Sequence, residues 1–137
     1  MPLSRRPSRI LILLLALWSP ALGDVTFIHW SDIHCQEDSG GVIKRRLVDD
    51  LNAMPDKSWP RQAGGGKVGA IDFVVATGDL TNHGTAPQWD LYLDLRKRLR
   101  FPSYEAMGNH DFRGGRAVEQ GIEKLQGATH YSFDKGG

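Results

Sequence analysis

The chain has 137 residues, 40% of them hydrophobic, enough for one modest globular domain. Its 17 Lys and Arg stand against 16 Asp and Glu, a formal net charge of +1, so no global basic field marks it as a nucleic-acid binder. The single cysteine, Cys35, excludes an intramolecular disulfide framework and a thiolate-rich zinc knuckle, and the lone strongly apolar stretch excludes a polytopic membrane protein.

That stretch opens the chain. Arg5, Arg6 and Arg9 form a positive flank, Ile10 to Trp18 is an unbroken apolar run, and Ser19-Pro20 breaks it before Ala21-Leu22-Gly23. This order predicts a secretory signal peptide over residues 1–23, cleaved near Gly23, and a secreted or periplasmic destination. The run covers nine residues, about half of what a ~30 Å hydrocarbon core requires, so no stable membrane span is expected. Removing the leader takes away three arginines and no acids, which leaves 14 basic against 16 acidic residues and a net charge of −2. In an oxidising compartment the lone thiol is free, buried or paired with another chain.

Residues 24–137 then alternate two patterns. Val25 to Trp30 is β-branched and aromatic, a buried strand. Val42 to Met54 carries Ile43, Leu47, Leu51 and Met54 at helical spacing, which predicts one apolar face. Pro55 to Lys67 reads as a surface loop, and Ile71 to Ala76 as a second strand. Ala86 to Leu99 predicts a helix with Trp89, Leu93 and Leu99 inward and the cations Arg96, Lys97 and Arg98 near its end. Ser103 to Met107 is a third strand, Ala117 to Leu125 a helix, and His130 to Phe133 the start of a fourth strand.

The succession β-α-β-α-β-α-β predicts an α/β domain with a largely parallel sheet, whose ligands gather at the carboxyl ends of the strands. Polar residues stand at three such ends. After the first come Asp32 and His34, one residue apart, so that an extended segment can aim both the same way at a divalent metal. After the second comes Gly78-Asp79, a tight turn delivering a carboxylate. After the third comes Gly108-Asn109-His110-Asp111, an amide oxygen beside an imidazole, a side chain able to serve as base or acid. Taken singly, each also reads as ordinary turn or capping chemistry. Their conjunction, in order and each behind an apolar strand, points to a site.

These stretches resemble the calcineurin-like metallophosphoesterase superfamily: FIHWSDIH (Phe27–His34), VVATGDLTNHG (Val74–Gly84) and EAMGNHDF (Glu105–Phe112). The resemblance implies the N-terminal half of a two-sheet α/β sandwich with two divalent ions (Mn, Fe or Zn) at the strand ends. It implies Asp32 and His34 on the first ion, Asp79 bridging both and Asn109 on the second. His110 would stand beside the phosphate and assist the leaving group. On chemical grounds the neighbouring carboxylate, Asp111, is expected to orient His110 through its other ring nitrogen. The implied reaction is hydrolysis of a phosphate mono- or diester by a hydroxide that the paired ions activate. A phosphate-ester small molecule or phosphorylated substrate is the implied partner.

Two departures from the family pattern bear on this. Where some relatives place a second Asp three residues after the bridging one, this chain has Asn82, which brings no charge. The further metal-binding His and the G-H-x-H element are absent, and His130 reads as part of a strand. The expectation is therefore a C-terminally incomplete phosphoesterase domain over residues 24–137. The alternative is a truncated, non-catalytic exported fragment or binding module retaining half the fold.

Other features read plainly. Gly64-Gly65-Gly66-Lys67 is a flexible linker, because Val68 stands where a phosphate loop needs Ser or Thr. Lys44-Arg45-Arg46 and Arg96-Lys97-Arg98 are solvated helix faces, each also able to attract an anion. His83 faces solvent or reaches substrate, and Arg113 and Arg116 are candidates for phosphate contact. His29 is expected packed within its strand, and Cys35 buried.

Overall fold

Three strands, β1 (Phe27–Trp30), β2 (Phe73–Thr77) and β3 (Ser103–Ala106), lie side by side and parallel in the order β1-β2-β3. Phe27 pairs with Phe73, and Val74 with Ser103. Between and after them run three helices, α1 (Gly40–Asn52), α2 (Ala86–Arg98) and α3 (Ala117–Gln126). The computed structural model describes residues 24–37 and 40–135, so the predicted leader over residues 1–23 lies outside the described residues. The α/β class and parallel sheet agree with the strand-helix alternation in the sequence.

Strand alternation explains the layering. Trp30, Val74 and Ala76 point to one face and meet Val48 of α1, Trp89, Tyr92 and Leu95 of α2, and Val118 and Ile122 of α3 in a single core. The opposite face carries Phe27, His29, Val75, Thr77 and Tyr104, and Phe27 is 53% exposed there while stacked on Phe73. His29 is therefore not packed as expected. It is exposed, with Nε2 at 2.6 Å from Thr77 Oγ1.

The apolar face predicted for the first helix is out of register. Val48 is fully buried, whereas Ile43 is 72% and Leu47 42% exposed, and Leu51 is only partly buried. Among the described residues, no strand lies beyond β1, so Ile43 and Leu47 overhang Trp30 and Ile33 with nothing further to pack on. In α2, Trp89 is buried as predicted. Leu93 and Leu99 are only partly so, and the stripe is completed by Gln88, Tyr92 and Leu95. The loop over 55–67 contains 3-10 turns at Met54–Asp56 and Arg61–Ala63, with Ser58 bridging Lys67.

His130 to Phe133 is not a strand. Side chains hold this segment on the open face instead. The Tyr131 hydroxyl donates to the Glu105 carbonyl at 2.8 Å, and Phe133 stacks on Tyr104 with ring centroids 3.9 Å apart. The aromatic partners lie on the sheet's face rather than along its edge, which turns the chain away from ladder geometry.

Arg96 also departs from the expected solvated role. Its Nε donates at 2.8 Å to Oε1 of Glu105, a β3 carboxylate only 1% exposed. Tyr92 and Ser103 hydroxyls donate to the same oxygen, and the Gln126 amide donates to Oε2. One buried carboxylate thus ties α2, α3 and β3 together. Burial first, and the Glu105 charge next, push the Tyr92 phenol well above its ordinary pKa.

Candidate metal centre

Parallel pairing brings the carboxyl ends of β1, β2 and β3 to one edge of the sheet, and the three motifs meet there. The connections continue past the strands: His34 N donates to Asp79 O at 2.8 Å, Cys35 N to Leu80 O at 3.0 Å, and His110 N to Asp79 Oδ1 at 2.9 Å. Asp32, His34 and Asp79 all have left-handed backbones, with φ of 55, 47 and 49°. Such angles cost non-glycine residues about 1–3 kcal/mol each, and strain of this kind concentrates at functional sites. Gly78, at φ 100°, and Gly108 let the second and third turns touch: a Cβ on Gly108 would overlap the Asp79 carboxylate and amide.

His34, Asp79 and His110 each offer a ligand atom within 4.8 Å of the others, and all three are half-buried. His34 Nε2 lies 3.9 Å from Asp79 Oδ2 and 3.9 Å from Asp32 Oδ1. The His34 and His110 rings meet edge to face at 4.5 Å. Asp32 stands at the rim with 69% of its side chain exposed, and accepts a hydrogen bond from the Ser31 hydroxyl. Asn109 is exposed on the turn that carries His110. The donors suit a divalent ion: two imidazoles and a carboxylate, with His34 Nδ1 buried and lacking any hydrogen-bond partner. The nitrogen turned toward both carboxylates is Nε2, the one placed to meet an ion.

Asp111 does not orient His110. Its carboxylate is fully buried and accepts from the Leu80 and Thr81 backbone amides, the Thr81 hydroxyl and the Gly108 amide, at 2.7 to 3.2 Å. It is the buried clamp that binds the second and third turns to each other. The partner of His110 is Asn82, through the main chain. The Asn82 carbonyl, which only accepts, lies 2.8 Å from Nδ1, while the Arg113 guanidinium, which only donates, faces the same nitrogen, so the two contacts ask opposite protonation states of it. Arg113 places a guanidinium nitrogen 3.0 Å from the same Nδ1, and its side chain is otherwise exposed. The Asn82 amide donates to Gln36 Oε1 at 2.8 Å, and exposed His83 holds Nε2 3.1 Å from that amide.

The calcineurin-like phosphoesterase family matches the chain over residues 25–135. The chain belongs to this family. Among curated proteins no relative matches it.

As a calcineurin-like phosphoesterase, the chain carries its cluster where all three motifs of the sequence converge. The buried clamp of Asp111 on Thr81 and the link from Gln36 to Asn82 were not legible there, since neither lies in a local pattern. Cys35 is buried as expected, 1% exposed, and its thiol is pushed up to about 12, by burial first. Arg116 pairs with Glu119 at 2.7 Å at the start of α3. Among the described residues, no helix is long and apolar enough to cross a membrane.

Proposed function

We propose that this chain carries the strand-end half of a metal-dependent hydrolase of phosphate mono- or diesters, exported by its leader over residues 1–23. The observation that carries this reading is the convergence of His34, Asp79 and His110 at the carboxyl edge of the sheet. Asp32, His34, Asp79 and Asn109 would hold two divalent ions, with Asp79 shared, and His110, which clusters with His34 and Asp79, is assigned to the substrate instead. When bound, such ions supply Lewis-acid stabilisation of the phosphoryl group and activation of water. The protein's own contribution is orientation. The Asn82 carbonyl orients the His110 ring through Nδ1, and with both ring nitrogens protonated Nε2–H can donate to the leaving oxygen, a role worth about 10²–10⁴ in rate. Asn82 and Arg113 stand against His110, and His83 beside the Asn82 amide, as candidates to meet substrate oxygens.

A second reading, a non-catalytic fragment or binding module with half the fold, is favoured by the open sheet face. Parallel sheets are covered on both faces, and here Phe27, His29 and Thr77 are exposed on the side away from the helices. The second sheet of a sandwich is the cover that this face fits.

The test is hydrolysis of p-nitrophenyl phosphate and its bis-ester with Mn²⁺ or Zn²⁺ added to the full chain. Turnover that vanishes in both Asp79→Asn and His110→Ala supports the enzyme reading. Metal binding without turnover selects the second reading, and turnover that survives both substitutions removes the site.

A further inference from the structure

The two basic runs of the sequence, about 50 residues apart, converge in space. Between α1 and α2 lies a cavity of about 260 Å³. Its floor is Cys35, Leu91 and Leu95, and its walls carry Lys44 and Arg45 from the first run and Arg98 from the second. Arg45 reaches back over the cavity, with Nη1 3.6 Å from where a Cβ on Gly41 would stand.

The charges are unevenly matched. Arg98 is engaged by Asp49 at 3.3 Å, and Asp94, the acid in the lining, is engaged by Lys97 at 3.4 Å. Among the described residues, Lys44 and Arg45 have no acidic partner. An apolar floor beneath two unpaired cations suits a compact anion with a small organic body, and the volume is too small for a macromolecular segment. We infer that the cleft between α1 and α2 is a binding site for a small phosphorylated molecule, separate from the metal centre. The cleft borders the strand ends through Cys35 and Gln36 but shares none of His34, Asp79 and His110, so this inference does not rest on the proposed activity.

Inorganic pyrophosphate is the probe, titrated calorimetrically into the full chain freed of metal with EDTA. Saturable binding of one equivalent is expected. Lys44→Gln and Arg45→Gln should each weaken it about tenfold, the loss of one charge-assisted hydrogen bond. Asp94→Asn should tighten it severalfold, and Asp79→Asn should leave it unchanged. Arg45 and Asp94 are exposed and Lys44 and Asp79 half-buried, and circular dichroism checks that each variant keeps the wild-type helix content. Absence of saturable binding, or equal binding by the Lys44→Gln/Arg45→Gln double variant, overturns the inference. Loss of binding in Asp79→Asn does so as well, because it would place the anion at the strand ends.

Discussion

Gly108 presses its backbone against the carboxylate of Asp79 so closely that no side chain fits between them. Two turns from strands joined by parallel pairing are thereby brought into direct contact, and His110, two residues on, donates its amide to that same carboxylate. The Asp79 side chain is held from two directions before any ion arrives. This is how a small domain pre-organises a carboxylate at the edge of a sheet.

Gly108→Ala should therefore damage the site more than the fold. Overpacking of this kind costs about 1–3 kcal/mol. Urea unfolding should show a loss in that range, while Mn²⁺ affinity measured by calorimetry drops at least tenfold. Unchanged metal affinity would mean that the turn relaxes freely and the contact positions nothing.

Asp111→Asn distinguishes a clamp from a relay. An amide cannot accept from backbone N–H groups at both ends, so a buried donor loses its partner at a cost of about 1–3 kcal/mol. The expected result is a lower denaturation midpoint. Any remaining hydrolysis should keep the wild-type pH profile. A shifted pH profile at unchanged stability would instead tie Asp111 to His110.

Glu105→Ala should be among the most destabilising substitutions in the chain. It strands the Arg96 guanidinium and leaves the Tyr92, Ser103 and Gln126 donors without their acceptor. Breaking one side of a buried ion pair costs about 3–5 kcal/mol. Arg96→Met should cost as much or less, since the Tyr92, Ser103 and Gln126 donors remain on Glu105. Chemical denaturation of both variants checks the order, and a harmless Glu105→Ala would show that the network adds nothing.

Cys35 should be inert in the native chain and should make stability fall at alkaline pH. Burial pushes its thiol from the ordinary 9.0 up to about 12, against a smaller opposing effect of Lys44. Above pH 9 the unfolded chain releases this proton while the folded chain retains it, so its contribution is complete below 9 and lost as pH rises toward 12. Cys35→Ala should flatten that part of the stability profile relative to wild type. Labelling with a thiol reagent at pH 8 should be slow until urea is added. Rapid native labelling would contradict the burial.

The strand ends were readable because they are local. A strand followed by Asp32-Ile33-His34, another by Gly78-Asp79, and a third by Gly108-Asn109-His110-Asp111 can each be recognised within a few residues. Parallel order then requires their ends to share an edge. The apolar stripe of the second helix was legible in part, since Trp89 is large enough to declare its side, while Tyr92 and Leu95 complete a face that Leu93 only borders.

The sequence by itself determined the order of the first three strands and the helices between and after them, the parallel sheet, and the three strand-end motifs from which His34, Asp79 and His110 come together, because periodicity and turn chemistry act over a few residues. Tertiary structure alone decided that Asp111 clamps Thr81 rather than His110, that Arg96 turns inward to Glu105 and that Ile43 and Leu47 are left facing solvent. Buried polar groups take whichever partner the fold brings within hydrogen-bond distance, and for Asp111 that partner stands 30 residues away along the chain. Which helix face is buried depends likewise on where the neighbouring strand stops, and no spacing within the helix records it.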